Sequence, residues 1–235
     1  MPNQLTFELA LPPPTYARED FVVSDGNREA LAWIDRWPDW PAPVLALNGP
    51  AGSGKTHLGR IWAARAGADV ITGADLDGKG VPELTALTVA SAAIVIEDAD
   101  RAPERALFHL YNLMLERRGH LLLISVAPPA HWSIALPDLA SRLRAAPAVA
   151  VSAPDDELLG SIILKQLTDR QLHVGPGVVS YLVSHMERSA EQAGRVVMAL
   201  DRRALVERRE IDRRLAADVL AELSLAATAA PQEKQ

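Results

Sequence analysis

Eight consecutive residues, Gly49-Pro50-Ala51-Gly52-Ser53-Gly54-Lys55-Thr56, have the types and spacing to bind phosphate. Their glycines let the backbone turn tightly enough for successive N–H groups to converge on an anion. Lys55 adds a point charge for β- and γ-phosphates, and the Thr56 hydroxyl can ligate Mg²⁺. The apolar run Val44-Leu45-Ala46-Leu47 comes directly before, and helical spacing follows. Strand, glycine turn and helix therefore stand in the order a P-loop requires. The expected ligand is a nucleoside triphosphate or its diphosphate. A second candidate is Ile94-Val95-Ile96-Glu97-Asp98, an apolar strand ending in two carboxylates. Carboxylates in that place can hold a metal shell and activate water.

The elements that must position these groups follow from pattern and composition. With 235 residues, 49% of them hydrophobic, the chain can bury a substantial core as one large domain or one domain and a satellite. A net charge of −6 argues against a protein that grips nucleic acid with its whole surface. There is no cysteine, which excludes disulfides and thiolate chemistry. The start Met1-Pro2-Asn3-Gln4 lacks a basic flank and an apolar core, and no run reaches about 18 apolar residues. The expectation is a soluble cytoplasmic protein without membrane association.

Residues 1–16 are polar and proline-rich and read as a flexible arm. Helical spacing covers Asp25 to Trp37, where Trp33, Trp37 and Trp40 read as packing residues. Strands at Val44–Leu47, Asp69–Thr72, Ala93–Ile96, Leu121–Ser125 and Ala148–Val151 then alternate with helical stretches. Such alternation predicts an α/β domain over 17–153, a parallel sheet covered by helices. From 154 to 225 only helices are predicted: Asp155–Leu172, Gly177–Met186, Ser189–Arg208 and Ile211–Leu223, a small helical lid. Residues 226–235 read as a frayed tail.

A P-loop α/β domain followed by a helical lid resembles the AAA+ ATPases. Phe21-Val22-Val23-Ser24, with Asn27 and Ala30, is similar to the segment that frames adenine in the replication initiator DnaA. Gly54-Lys55-Thr56-His57-Leu58 matches the DnaA-type string at the start of the P-loop helix. Leu136-Pro137-Asp138-Leu139-Ala140-Ser141-Arg142-Leu143 resembles the arginine-finger segment of the Hda-type regulatory inactivators of DnaA. Gln4-Leu5-Thr6-Phe7-Glu8-Leu9 looks like their clamp-binding peptide. There Gln4 would anchor and Leu5, Phe7 and Leu9 would fill apolar pockets. The resemblance runs from Gln4 to about Leu223, with no counterpart of DnaA's helix-turn-helix domain. That and the acidic balance favour the Hda type.

The resemblance implies roles residue by residue. ADP or ATP with Mg²⁺ would lie against Phe21, Val22, the loop Gly49–Thr56 and His57. Thr56 and Glu97 would serve the metal, and Asp98 would be the base. The usual AAA+ order is Asp then Glu, so the reversed pair implies slow hydrolysis in cis. Fourth-strand Ser125 stands where relatives often carry an aspartate, which lowers the expected turnover again. Arg142, with Arg144 as its fallback, would be offered to DnaA's ATP. Arg195 resembles the sensor-2 arginine, against a plain pairing with Glu191. Partners implied are DnaA, the DNA polymerase III sliding clamp (its β subunit) and further copies of the chain, with direct DNA contact weak or absent. The rival readings are a DnaA-related helicase loader and an ATP-driven motor.

Overall fold

The computed structural model describes residues 16–229. Five strands build one sheet: β1 (Val44–Asn48), β2 (Asp69–Thr72), β3 (Ala93–Glu97), β4 (His120–Ser125) and β5 (Ala148–Ala150). Their order is β2-β3-β4-β1-β5, and every pair is parallel. The interiors of the central strands are apolar at each position because both faces are covered. Period-two alternation sorts them. Val44, Ala46, Ile94, Ile96, Leu121 and Leu123 enter one core layer, under α3 (Val81–Ala90), α4 (Glu104–Glu116) and α5 (Pro137–Ala145). Leu45, Leu47, Val95, Leu122 and Ile124 enter the other, under α1 (Arg28–Arg36) and α2 (Lys55–Ala66). Truncating a fully buried leucine such as Leu122 to alanine removes about 2–5 kcal/mol.

Register carries the chemistry to one end of the sheet. Asn48 lies beside Ser125 and Thr72 beside Glu97, so the β1, β3 and β4 C-termini open together. In open parallel sheets ligands collect there.

The tryptophans pack as the sequence suggests. Trp40 stacks on Trp62 at 5.2 Å, and its indole N–H donates to the Trp33 carbonyl at 2.7 Å. His120 meets the edges of Trp37 and Trp40.

Four more helices follow β5: α6 (Asp156–Asp169), α7 (Val178–His185), α8 (Ala190–Glu207) and α9 (Arg213–Ala229). They share a separate core through Leu159, Ile163, Leu182, Val196, Leu200 and Leu215. Asp155 caps α6 by accepting from Leu158 N–H at 2.8 Å, and Ser189 caps α8 by accepting from Gln192 N–H at 3.2 Å.

Three details depart from the sequence reading. Helix α9 starts at Arg213, because Asp212 caps it through Leu215 N–H at 2.8 Å. Ile211 instead bridges to Val174 in parallel fashion. The helix then runs to Ala229, past the expected start of fraying, over an alanine-rich stretch of high helix propensity. Tyr16, placed at the end of a free arm, packs edge-on against the His57 ring at 5.4 Å. Among the described residues no helix is long and apolar enough to cross a membrane.

Candidate functional site

The loop between β1 and α2 is fixed from three sides. Gly49 N–H donates to the Ser125 and Val126 carbonyls at 3.3 and 3.0 Å, tying the loop's start to the end of β4. Gly52 has φ +71°, and a Cβ there would lie 2.0 Å from Ser189 Oγ. The loop middle therefore presses on the capped start of α8, where Ala190 N–H donates to the Gly52 carbonyl at 2.9 Å. Gly54, with φ +98°, passes under Phe21, whose ring edge is 3.7 Å from the place of a Cβ. Pro50 and Ala51 form the exposed outer rim.

Lys55 is buried, and its ammonium points into this loop. It donates to the carbonyls of Gly49 at 2.8 Å and Pro50 at 2.7 Å, with Ser53 Oγ at 3.4 Å. All three N–H donors have acceptors. Burial lowers the Lys55 pKa, opposed by the charges of Glu97, Asp98 and Asp100. A phosphate would replace neutral carbonyls with a charged acceptor, and charge-assisted bonds are about twice as strong.

Thr56 and Glu97 meet at the strand end, where the Thr56 hydroxyl donates to Glu97 Oε2 at 3.2 Å. Glu97 Oε1 is buried with no hydrogen-bond partner, facing Gly59 of α2. Burial raises the Glu97 pKa, offset by the Thr56 bond and the charge of Arg60. The Thr56 hydroxyl and Glu97 Oε2, side by side, suit a small hard cation. Among the described residues no group of three His, Cys, Asp or Glu side chains could cage a metal. A hydroxyl and one carboxylate are a donor set of the kind Mg²⁺ takes, since that ion uses one or two protein oxygens and completes its shell with phosphate and water.

Two further polar groups stand at the neighbouring strand ends. Asp98 is exposed, in the left-handed conformation at φ +48°, and its side chain caps nothing. Ser125 is buried and donates its hydroxyl hydrogen to Ala127 O at 2.7 Å.

The segment before α1 lies across the loop. His57, in the first turn of α2, has Tyr16 and Phe21 against its ring edges at 5.4 and 5.2 Å, and its Nε2 is 3.2 Å from Ala17 O. Burial lowers the His57 pKa, which the contact with Ala17 opposes. Buried Asn27 holds the turn: its amide donates to Val22 O at 3.0 Å and its Oδ1 accepts from Ser24 N–H at 2.8 Å. Asp20 pairs with Lys165 of α6 at 2.9 Å, connecting this segment to the lid helices.

The three candidate arginines lie apart from the loop's hydrogen bonds. Arg142 of α5 is half-buried, its guanidinium 5.6 Å from the ring centroids of Phe108 and Tyr111. It has no carboxylate partner among the described residues. Arg144 is exposed. Arg195 of α8 has a side chain 52% exposed and pairs with Glu191 at 3.5 Å, the plainer of its two expected arrangements. Gln4, Leu5, Phe7 and Leu9 lie outside the described residues. Two links were not anticipated, Gly52 with α8 and Asp20 with Lys165. The capping spacing Ser189-x-x-Gln192 is visible in the chain, but nothing in it names the loop as the helix's neighbour.

No protein-family model matches the chain. Among solved structures, domain III of the replication initiator DnaA from Thermotoga maritima superposes with a TM-score of 0.79 at 20% identity, over 89% of this chain and 97% of that one. DnaA bound to AMPPCP and single-stranded DNA gives 0.67 at 20%, over 80% of this chain. The present chain spans 65% of that DnaA's length. The Holliday junction branch migration motor RuvB from Thermotoga maritima gives 0.72 at 15%, over 89% and 72%. These likenesses show the fold: a parallel five-stranded sheet with its helices arranged as in DnaA domain III and RuvB.

Proposed function

We propose that the chain is a nucleotide-holding regulator of the Hda type, which brings an arginine to ATP bound on DnaA and so limits replication initiation. In this reading ADP or ATP lies on the Gly49–Thr56 loop, its base against Phe21 and Val22 beside His57. Lys55 turns from its carbonyls to the phosphates. Thr56 and Glu97 hold Mg²⁺, which would neutralise phosphate charge. Residues 17–153 and 154–225 act as two domains braced by the nucleotide, with Arg195 giving up Glu191 to reach it. Gln4–Leu9 docks on the sliding clamp, and Arg142 leaves the Phe108 and Tyr111 rings to enter DnaA's site.

One observation carries this reading: Lys55 and the Thr56–Glu97 pair converge on the loop, while Ser125, in the place where relatives often carry an aspartate, spends its hydroxyl on Ala127 O. Such a site favours retention over turnover. The AMPPCP on the DnaA of similar fold supports a nucleotide here. A half-buried guanidinium on the Phe108 and Tyr111 rings, with no carboxylate partner among the described residues, supports donation in trans.

The test is hydrolysis of DnaA-bound ATP with clamp loaded on DNA. Adding the purified chain should accelerate it, and the chain should retain ADP throughout. Brisk clamp-independent hydrolysis by the chain alone would instead identify a motor, the role named for RuvB. A Gln4→Ala variant that still binds clamp would remove the docking peptide and leave the helicase loader as the better reading.

A further inference from the structure

The carboxylate of Glu104, on α4, grips the chain where α5 begins, and α5 carries Arg142. We propose that Glu104 is a positioning residue that sets where Arg142 is presented to a partner's nucleotide, an inference that rests on the arginine role proposed above.

Helix α5 has no means of fixing its own start. Its N-cap is Leu136, whose side chain offers no hydrogen-bonding group, and its first residue is Pro137, which has no N–H. The missing cap comes from another helix. Glu104 Oε1 accepts from Ala135 N–H and Oε2 accepts from Leu136 N–H, both at 2.9 Å. Each carboxylate oxygen is matched to one main-chain donor, so the grip fixes direction as well as distance. No cationic side chain pairs with Glu104 among the described residues, which leaves its charge to these two donors. That charge suits both helices. Glu104 lies in the first turn of α4 and bonds the residues that lead into α5, and a helix N-terminus favours an anion.

The same α4 also holds the far end of α5. Phe108, one turn beyond Glu104, and Tyr111 put their ring centroids 5.6 Å from the Arg142 guanidinium. Leu139 and Leu143, on either side in the sequence, are buried in the core layer that α4 covers. Arg142 lies six residues beyond Leu136, about 9 Å along the helix axis. A change of about 10° in that axis displaces the arginine by about 1.5 Å. Misplacement by about 1 Å can lower a rate about 10²-fold. The Glu104 carboxylate therefore bears on a distance that chemistry in trans would feel, although it touches no nucleotide itself.

Hydrolysis of DnaA-bound ATP, with clamp loaded on DNA and increasing amounts of the full chain, tests this. Glu104→Ala should lower the maximal stimulated rate by about tenfold or more. The concentration of chain giving half-maximal stimulation should not change, and neither should the affinity for ADP, because docking and nucleotide use other residues. Glu104→Gln keeps an oxygen for one of the two N–H groups and should restore part of the rate. Adding Glu104→Ala to Arg142→Ala should bring no further loss, as for two residues that act as a unit. Hydrogen exchange at the Ala135 and Leu136 amides reads the grip without any activity, and should quicken in Glu104→Ala. Unchanged exchange overturns the proposal, as does a retained maximal rate or a loss that adds to that of Arg142→Ala. Loss in Arg142→Ala with full stimulation by Glu104→Ala overturns this inference alone. Full stimulation by Arg142→Ala overturns the arginine role, and this inference with it. Should Glu104→Ala fail to fold, the same outcomes are read from Glu104→Gln.

Discussion

The main-chain N–H of Ala190 donates to the carbonyl of Gly52 at 2.9 Å, joining the first residue of α8 to the middle of the phosphate loop. The bond leaves no room for a side chain, since a Cβ on Gly52 would fall 2.0 Å from Ser189 Oγ. The loop's shape and the position of α8 are therefore one variable. Gly52→Ala must distort the left-handed turn, at about 1–2 kcal/mol, and must also push the cap of α8 away. We expect a lower melting temperature and an ADP affinity reduced at least about tenfold, equivalent to 1.4 kcal/mol. Calorimetric titration of ADP into folded Gly52→Ala measures it, and unchanged affinity would separate the loop from α8.

Lys55 gives a prediction about the chain without nucleotide. Its ammonium satisfies the carbonyls of Gly49 and Pro50. Removing it strands acceptors that a buried lysine had served, at about 1–3 kcal/mol. Lys55→Ala should thus lose nucleotide binding and also unfold more easily when empty. Thermal melts without nucleotide check the second half. A melting temperature equal to that of the unaltered chain would mean that the lysine swings free.

Glu97 predicts a pH dependence. Burial raises its pKa in the folded chain, so the ionised form is the disfavoured one. A carboxyl whose folded pKa lies above its unfolded value stabilises the fold below the unfolded pKa. That contribution is lost as pH rises through the folded pKa. The empty chain should therefore gain stability on acidification through the range just above the ordinary carboxylate pKa. Glu97→Gln should flatten this slope and raise the melting temperature of the empty chain at neutral pH. The same change should weaken Mg²⁺-dependent nucleotide binding by about tenfold, or 1.4 kcal/mol. Melts of both proteins from pH 4 to pH 8, with and without ADP and Mg²⁺, measure the two effects.

The parts legible in the sequence are those whose signal is local. Val44–Leu47 and Ile94–Ile96 are apolar at every position because sheet faces on both sides are covered, and such runs announce themselves. Gly52 and Gly54 mark the loop because their positive φ suits no other residue as well. Contacts between distant segments were not legible. Asp20 and Lys165 each look like ordinary surface charges, and only the fold brings them to 2.9 Å. Ser125 was noted for lacking an aspartate's carboxylate, yet its bond to Ala127 O depends on how the chain turns after β4. Arg195 carried two readings, and the structure has it on Glu191, a neighbour one turn away.

Arg142 separates a structural role from a functional one. Its guanidinium rests on half-buried Phe108 and buried Tyr111, and a cation–π contact contributes about 0.5–1 kcal/mol when exposed and about 2 kcal/mol when desolvated. Arg142→Ala should therefore lower stability by about 2–3 kcal/mol. It should leave ADP affinity unchanged, because among the described residues its side chain makes no hydrogen bond or ion pair with the loop. If the proposed role holds, stimulation of DnaA's ATP hydrolysis should fall by about 10³-fold or more. Arg142→Lys should not restore it, since an ammonium lacks the planar fork that meets phosphoryl oxygens in pairs. Arg144→Ala, altering an exposed neighbour in the same helix, should retain most of the stimulation. Single-turnover hydrolysis of radiolabelled ATP on DnaA, with clamp and each variant at equal concentration, decides between them. Loss in Arg144→Ala with retention in Arg142→Ala would transfer the role to Arg144. Retention in both would remove the arginine from the mechanism and leave the aromatic contact as its whole purpose.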